Sequence, residues 1–211
     1  MHKLLISAVL FAACDSRGPS ADTPRLSIAA QDKVTLKEDF EKDNPKWRFA
    51  SGSWERRKSG EGHVLAQTSK DNAFNVALLE ETRFSDADVT VRFKPVSGSE
   101  DASGGIVFRA RDEKNYFLVR ANALETNFRL YTVKDGKRGQ IASTRVAAPA
   151  LGEWHTIRVV AKGAGIQAYL DGKLLIDHED KSFGEGWVGL WTKADSVTEF
   201  DDLEISGVAS K

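Results

Sequence analysis

The chain has 211 residues, 41% of them hydrophobic and 29% charged, with 30 Lys+Arg against 31 Asp+Glu. That length suits one sizeable domain, and the balanced charge argues against a nucleic-acid binder, which is normally basic. The single cysteine rules out an intramolecular disulfide.

In chain order, residues 1–14, MHKLLISAVLFAAC, read as an export signal: Lys3 gives the positive start and Leu4 to Ala13 an apolar run too short to span a bilayer. The run closes on Phe11-Ala12-Ala13-Cys14, which resembles a bacterial lipobox. The resemblance implies lipidation at Cys14 and a membrane-anchored lipoprotein of the cell envelope, facing the periplasm or the exterior. An ordinary secretory signal cleaved nearby is the alternative. Residues 15–33 are small and polar, include Pro19 and Pro24, and are expected to form a flexible tether. The globular domain is expected over 34–208.

It begins with VTLKEDFE, followed by Trp47 and Trp54, expected to pack at the start of the first sheet. GHVLAQT (62–68) and NVALLEE (75–81) are the next strands. SDADVTVRFKPV (85–96) alternates with Val89, Val91 and Phe93 inward. After the loop SGSEDASGG (97–105) come three strands in a row, 106–111, 116–122 and 128–133. One face of them carries Ile106, Phe108, Ala110, Phe117, Val119, Ala121, Phe128 and Leu130 and suits a core. The other carries Val107, Arg109, Arg111, Leu118, Arg120, Asn122, Arg129 and Tyr131. A turn at 134–137 precedes the HTIRVVAKG strand, and IQAYLDGKLLIDHED forms a hairpin with its turn at Asp171-Gly172. WVGLWTKADS and VTEFDDLEIS close the domain. No stretch of helical length and period appears after residue 33, so the pattern predicts an all-β sandwich.

Guanidinium forks beside aromatic rings suit a hydroxyl-rich or anionic ligand. The candidate binding set is therefore Arg109, Arg120, Asn122, Arg129, Tyr131, Trp191 and Lys193, with the arginines and Asn122 bonding hydroxyls or a carboxylate and the rings stacking. The alternative is a solvated face with arginine stems covering apolar surface. Trp191 shares a strand with Trp187 and either faces the ligand or packs under a loop. Catalytic candidates are few. Asp195 is either an acid facing the arginines or a turn cap, and His155 is either a catalyst or a packed edge residue. The neighbouring acidic pairs do not form a dyad across a sugar, because adjacent strand residues point to opposite faces. Gly184-x-Gly186-x-x-Gly189 precedes a strand rather than a helix, which excludes a dinucleotide site.

The order GGIVFR, NYFLVR, DGK, EWHTIRV, AYLDGK, GWVGLW and FDDL, spanning roughly residues 35–207, resembles the concanavalin A-like lectin/glucanase superfamily. Within it the chain is most similar to laminin-G-like domains and the 3-keto-disaccharide hydrolase domain. The resemblance implies a jelly-roll of two curved antiparallel sheets that binds carbohydrate on its concave sheet. It also implies that calcium is the ion to consider, with Glu38, Asp39, Asp201 and Asp202 on terminal segments expected to pair. The strand that carries Glu-x-Gln in the hydrolase domain reads Tyr116-Phe117-Leu118-Val119-Arg120 here, and the glucanase Glu-x-Asp-x-x-Glu run is absent. The expectation is therefore an envelope protein binding a glycan or related polyhydroxy ligand. A hydrolase or lyase of 3-keto-disaccharide-type sugars and a laminin-G-like protein-interaction module are the alternatives.

Overall fold

The structure is a computed structural model that describes residues 18–29, 33–70 and 73–210. Cys14 and the signal-like segment lie outside the described residues. No helix forms among those described, and the chain is built from β1 (Lys33–Glu38), β2 (Trp47–Ser51), β3 (Trp54–Ser59), β4 (Gly62–Gln67), β5 (Phe74–Ser97), β6 (Ser103–Asp112) and β7 (Asn115–Asn122), then β8 (Asn127–Lys134), β9 (Lys137–Arg145), β10 (His155–Lys162), β11 (Gly165–Leu170), β12 (Lys173–Glu179), β13 (Gly186–Lys193) and β14 (Val197–Ala209). All pairings between them are antiparallel.

Two layers arise because one strand serves both. The segments read from sequence as separate strands at 75–81 and 85–96 are one 24-residue strand, β5. Its first half pairs with β2 and β13, and its second half with β14 and β10. The front sheet runs β2-β5-β13-β6-β7-β8-β9, and the back sheet runs β14-β5-β10-β11-β12, with β1 and β4 side by side on β14 and β3 outside β4. The core between them takes Val89, Val91 and Phe93 from the back and Ile106, Phe108, Phe117, Val119, Phe128 and Leu130 from the front. These are the alternating positions that period two assigns to an inner face. Trp47 and Trp54 pack at its margin. The two hairpin turns have Asp135-Gly136 and Asp171-Gly172 at positive φ, the requirement of a two-residue turn that follows strand twist. At Gly189, in the middle of β13, a Cβ would run into the backbone carbonyl of Ala77, so only glycine allows the strands to approach this closely.

Residues 18–29, part of the segment expected as a tether, lie along the outside of the back sheet. Leu26 N donates to Gln167 Oε1 and Gln167 Nε2 donates to Pro24 O. Ile28 is buried against Val160, Tyr169 and Leu174, and Arg25 covers the Tyr169 ring.

Candidate functional site

The outward face of the front sheet holds a second apolar cluster: Val76, Leu78, Val107, Ala110, Tyr116, Leu118, Tyr131, Val133 and Trp191. An outer sheet face normally meets water, yet Tyr116 and Trp191 here have no exposed surface. The reason is curvature. Arg138 on β9 lies 4.5 Å from the Tyr131 ring centre, 5.7 Å from Trp191 on β13 and 5.4 Å from Phe74 on β5. On a flat sheet β9 and β5 would stand about 24 Å apart, five strand steps, beyond the reach of both side chains. The front sheet therefore curls into a trough with an aromatic floor, and the Arg138 guanidinium bridges its mouth.

Register sets what the trough presents. Trp191, Gly105, Arg120 and Arg129 lie in one row across β13, β6, β7 and β8. Arg120 is 2% exposed. Its Nη2 donates to Glu125 Oε2 at 2.8 Å and to the Tyr131 hydroxyl at 3.4 Å. Arg129 Nη1 donates to the same hydroxyl at 3.3 Å and pairs with Glu125 at 3.4 Å. Glu125 is therefore the shared counter-ion. Burial pushes its carboxyl up, but the hydrogen bonds from Arg120 and Asn127 and the charges of Arg120 and Arg129 outweigh that and hold it at about 2. Burial likewise pushes the Tyr116 hydroxyl up, so it stays protonated at any ordinary pH.

Several donors in the trough remain unused. Arg120 Nε and Nη1 and Arg129 Nε are buried with no hydrogen-bond partner, while Trp191 Nε1 and the Tyr116 hydroxyl, both buried, face each other. Leaving a buried polar group unmet costs about 1–3 kcal/mol, more if charged, so such a cluster marks a place that a ligand or water completes. The clefts elsewhere differ. A 370 Å³ cleft follows the seam between β9 and β12 beneath Gly18, Pro19 and Thr23, and a 270 Å³ cleft lies at the β2 edge among Phe40, Trp47, Phe49 and Arg56. No side chain lining either has a buried polar atom without a partner.

Of the residues expected from sequence to share this face, Arg120, Arg129 and Tyr131 are brought together, and Trp191 joins them as a buried floor rather than an exposed platform. Lys193 continues the Trp191 row, opposite Phe74. Asn122 is spent on structure: its Oδ1 accepts from Ala102 N and Leu124 N, and its Nδ2 reaches Glu125.

Arg109 is turned away. Its φ of +49° and the register shift after Phe108 form a bulge that inverts the alternation, so Ala110 joins the trough and Arg109 does not. Arg109 Nε donates to Ser85 O and its Nη1 to Phe183 O. Arg111 follows it, covering the Phe183 ring.

Asp195 caps a loop. Its carboxylate accepts from Ser99 N and Oγ, Glu100 N and Asp101 N, and these bonds, the Ser99 side chain first, hold it well below the usual carboxylate range. His155 sits on the back sheet, its Nδ1 against Asp171 and its Nε2 accepting from Ala150 N. These two residues and the arginines do not converge. The expected pairing of terminal segments is present, with Glu38 opposite Leu203. Glu38, however, spends both oxygens on Asn44 and Trp47, Asp39 caps Glu41 N, and Asp202 pairs with Arg92. Asp201 accepts from Asp202 N. Among the described residues no three His, Cys, Asp or Glu side chains come together to hold a metal.

Two trough residues escaped the sequence reading. Glu125 was hidden in a turn, and Arg138 opens an edge strand, KRGQIASTR, without apolar alternation. The DGK turn before Arg138 was the available signal.

The pH dependence of stability reports on the Glu125 pairing. A carboxyl held below its unfolded value of about 4.3 contributes stability above that pH and loses it as pH falls toward 2. The difference in urea midpoint between wild type and Glu125→Gln is expected to be full at pH 6 and about half as large at pH 3. A difference independent of pH would mean that Glu125 carries no depressed pKa.

Solved structures with this architecture include the carbohydrate-binding module CBM66 from Bacillus subtilis, at 23% identity and TM-score 0.67 over 75% of this chain and 94% of that one. A Bacillus licheniformis β-glucanase matches at 13% identity and TM-score 0.57, covering 82% and 97% of the two chains. A putative glycosyl hydrolase from Parabacteroides distasonis matches at 14% identity and TM-score 0.54, covering 81% and 98%. In sequence, the chain is 25% identical over 173 residues to a levanase of Bacillus subtilis, with 78% of this chain aligned to 23% of that protein. At these identities the likenesses establish the jelly-roll fold. The sequence model of the 3-keto-alpha-glucoside-1,2-lyase-like domain matches residues 35–206, nearly the whole globular part, and the chain belongs to that family.

Proposed function

We propose that this domain binds a glycan in the trough of its front sheet, as the ligand-binding part of a lipid-anchored envelope protein. The buried, unpartnered donors of Arg120 and Arg129 above an aromatic floor carry the reading. The arginines give hydrogen bonds to sugar oxygens, and the aromatic floor beneath them keeps those donors in place. The carbohydrate-binding module and the levanase among the similar proteins support a sugar ligand. Calorimetry of residues 18–211 against a panel of oligosaccharides tests it. Saturable binding by at least one member is expected, and silence across the panel would contradict the reading.

Family membership supports a second reading, cleavage of a 3-keto-glucoside-type sugar. The local electrostatics favour binding. A general acid needs a carboxyl with a raised pKa, and Glu125, the carboxylate paired with the trough arginines, is held at about 2. Product release from such a substrate, lost in Glu125→Gln, would establish the enzyme instead.

The anchor rests on Phe11-Ala12-Ala13-Cys14. Radiolabelled palmitate fed to cells is expected to label the wild type and not Cys14→Ser. Equal labelling, or none in either, removes the anchor.

A further inference from the structure

We propose that the ligand of the trough is an acidic sugar, one whose ring bears a carboxylate, with Arg138 as its counter-ion and specificity determinant; this rests on the glycan reading above.

Three observations point the same way. The first is the state of Arg138. Its half-buried guanidinium lies over three aromatic rings and makes no hydrogen bond or ion pair with the described residues. The other arginines on this face have acid partners: Arg48 has Glu80 and Glu113, and Arg120 and Arg129 share Glu125. Ring faces partly balance a cation, but they leave its in-plane N–H fork free for a bidentate acceptor.

The second is local charge. Arg48, Arg120, Arg129, Arg138 and Lys193 share this region with Glu80, Glu113, Glu125 and Asp101, five cations against four carboxylates, in a chain whose formal net charge is −1. The carboxylates pair with Arg48, Arg120 and Arg129, so the positive charge left over lies with Arg138 and Lys193, which pair with no carboxylate among the described residues.

The third is the kind of hydrogen-bonding capacity left over. The unmet buried groups are Arg120 Nε, Arg120 Nη1 and Arg129 Nε, all pure donors; Trp191 Nε1 is turned to the Tyr116 hydroxyl. Against them stands one acceptor, Asn127 Oδ1. A neutral sugar brings hydroxyls that donate as well as accept, and its hydrogens would find few acceptors. A carboxylate only accepts, and it matches a site that only donates.

The experiment uses pairs that differ only in charge. Oligomers of galacturonate, glucuronate and mannuronate are titrated calorimetrically beside their methyl esters, with levan and xylan oligosaccharides as neutral references. At least one acid is expected to bind ten-fold or more tightly than its ester, with an affinity that falls as salt rises. Arg138→Gln, which keeps the stem over the rings, is expected to erase that preference, and Arg138→Lys to retain part of it. An unchanged melting temperature shows that the variants are folded. Equal binding of acid and ester, or binding of neutral members alone, overturns the inference and leaves the glycan reading standing. No binding by any member overturns both. A preference that survives Arg138→Gln overturns the role of Arg138.

Discussion

Replacing Arg109 with alanine is expected to lower the melting temperature by about 10 °C, from a loss of about 3–5 kcal/mol. The side chain is 3% exposed and donates to the carbonyl oxygens of Ser85 and Phe183. Hydrogen bonds from a charged donor contribute about 1.5–3 kcal/mol each, and truncation also leaves a void and strands both acceptors. The same residue holds φ at +49°, a conformation that costs an L-residue about 1–2 kcal/mol. Arg109→Gly is therefore expected to be about 1 kcal/mol less damaging than Arg109→Ala. Glycan affinity of the folded fraction should be unchanged in both, since Arg109 lies outside the trough. A melting temperature within a degree or two of wild type would contradict this account of the bulge.

Arg120→Met is expected to behave in the opposite way. It should weaken glycan binding by more than ten-fold, over 1.4 kcal/mol, and shift the melting temperature by only a few degrees. The substitution removes the bonds to Glu125 and Tyr131, but it also removes two buried N–H groups with no partner. These effects offset one another, since exchanging a buried charge for an apolar side chain of similar length is often close to neutral. Glu125 is not stranded, because Arg129 and Asn127 still reach it. Calorimetric titration and a thermal melt on one preparation separate the outcomes. Wild-type affinity in Arg120→Met would show that the buried guanidinium is structural.

The contrast between these two arginines shows where sequence reading reached and where it stopped. Period two placed Phe108, Phe117 and Val119 in the core and laid the three central strands side by side, and the structure pairs β6, β7 and β8 in that order. The Asp-Gly turns were legible because few residues accept positive φ at two successive positions. The bulge at Arg109 was not legible, since arginine gives no signal of a left-handed backbone, and one inverted residue carries its side chain to the other face. The burial of Trp191 and the place of Arg138 escaped for another reason. Alternation assigns a face but not its curvature, and it is the curl of the front sheet that buries Trp191 and brings Arg138 across five strands to Phe74. Asp195 and Asn122 were visible as polar residues at strand ends, where capping a loop and meeting a ligand look alike in sequence. Their bonds to loop amides make the distinction.

The most direct measurement follows the tryptophan side chains as a bound oligosaccharide is titrated in. The chain has five tryptophans, and each contributes one indole N–H resonance in a nitrogen–proton correlation spectrum. The Trp191 Nε1–H meets the Tyr116 hydroxyl in the floor of the trough, whereas Trp47 Nε1 and Trp54 Nε1 are bonded to Glu38 and the Ser51 carbonyl and Trp154 lies beneath Arg92 and Lys94. If the trough is the binding site, the Trp191 resonance shifts saturably with ligand, tracks the calorimetric affinity and stops responding in Arg120→Met, while the Trp154 resonance stays fixed. A Trp191 resonance that holds still while Trp47 or Trp154 moves would place the ligand in the cleft at the β2 edge or on the back sheet and contradict the account.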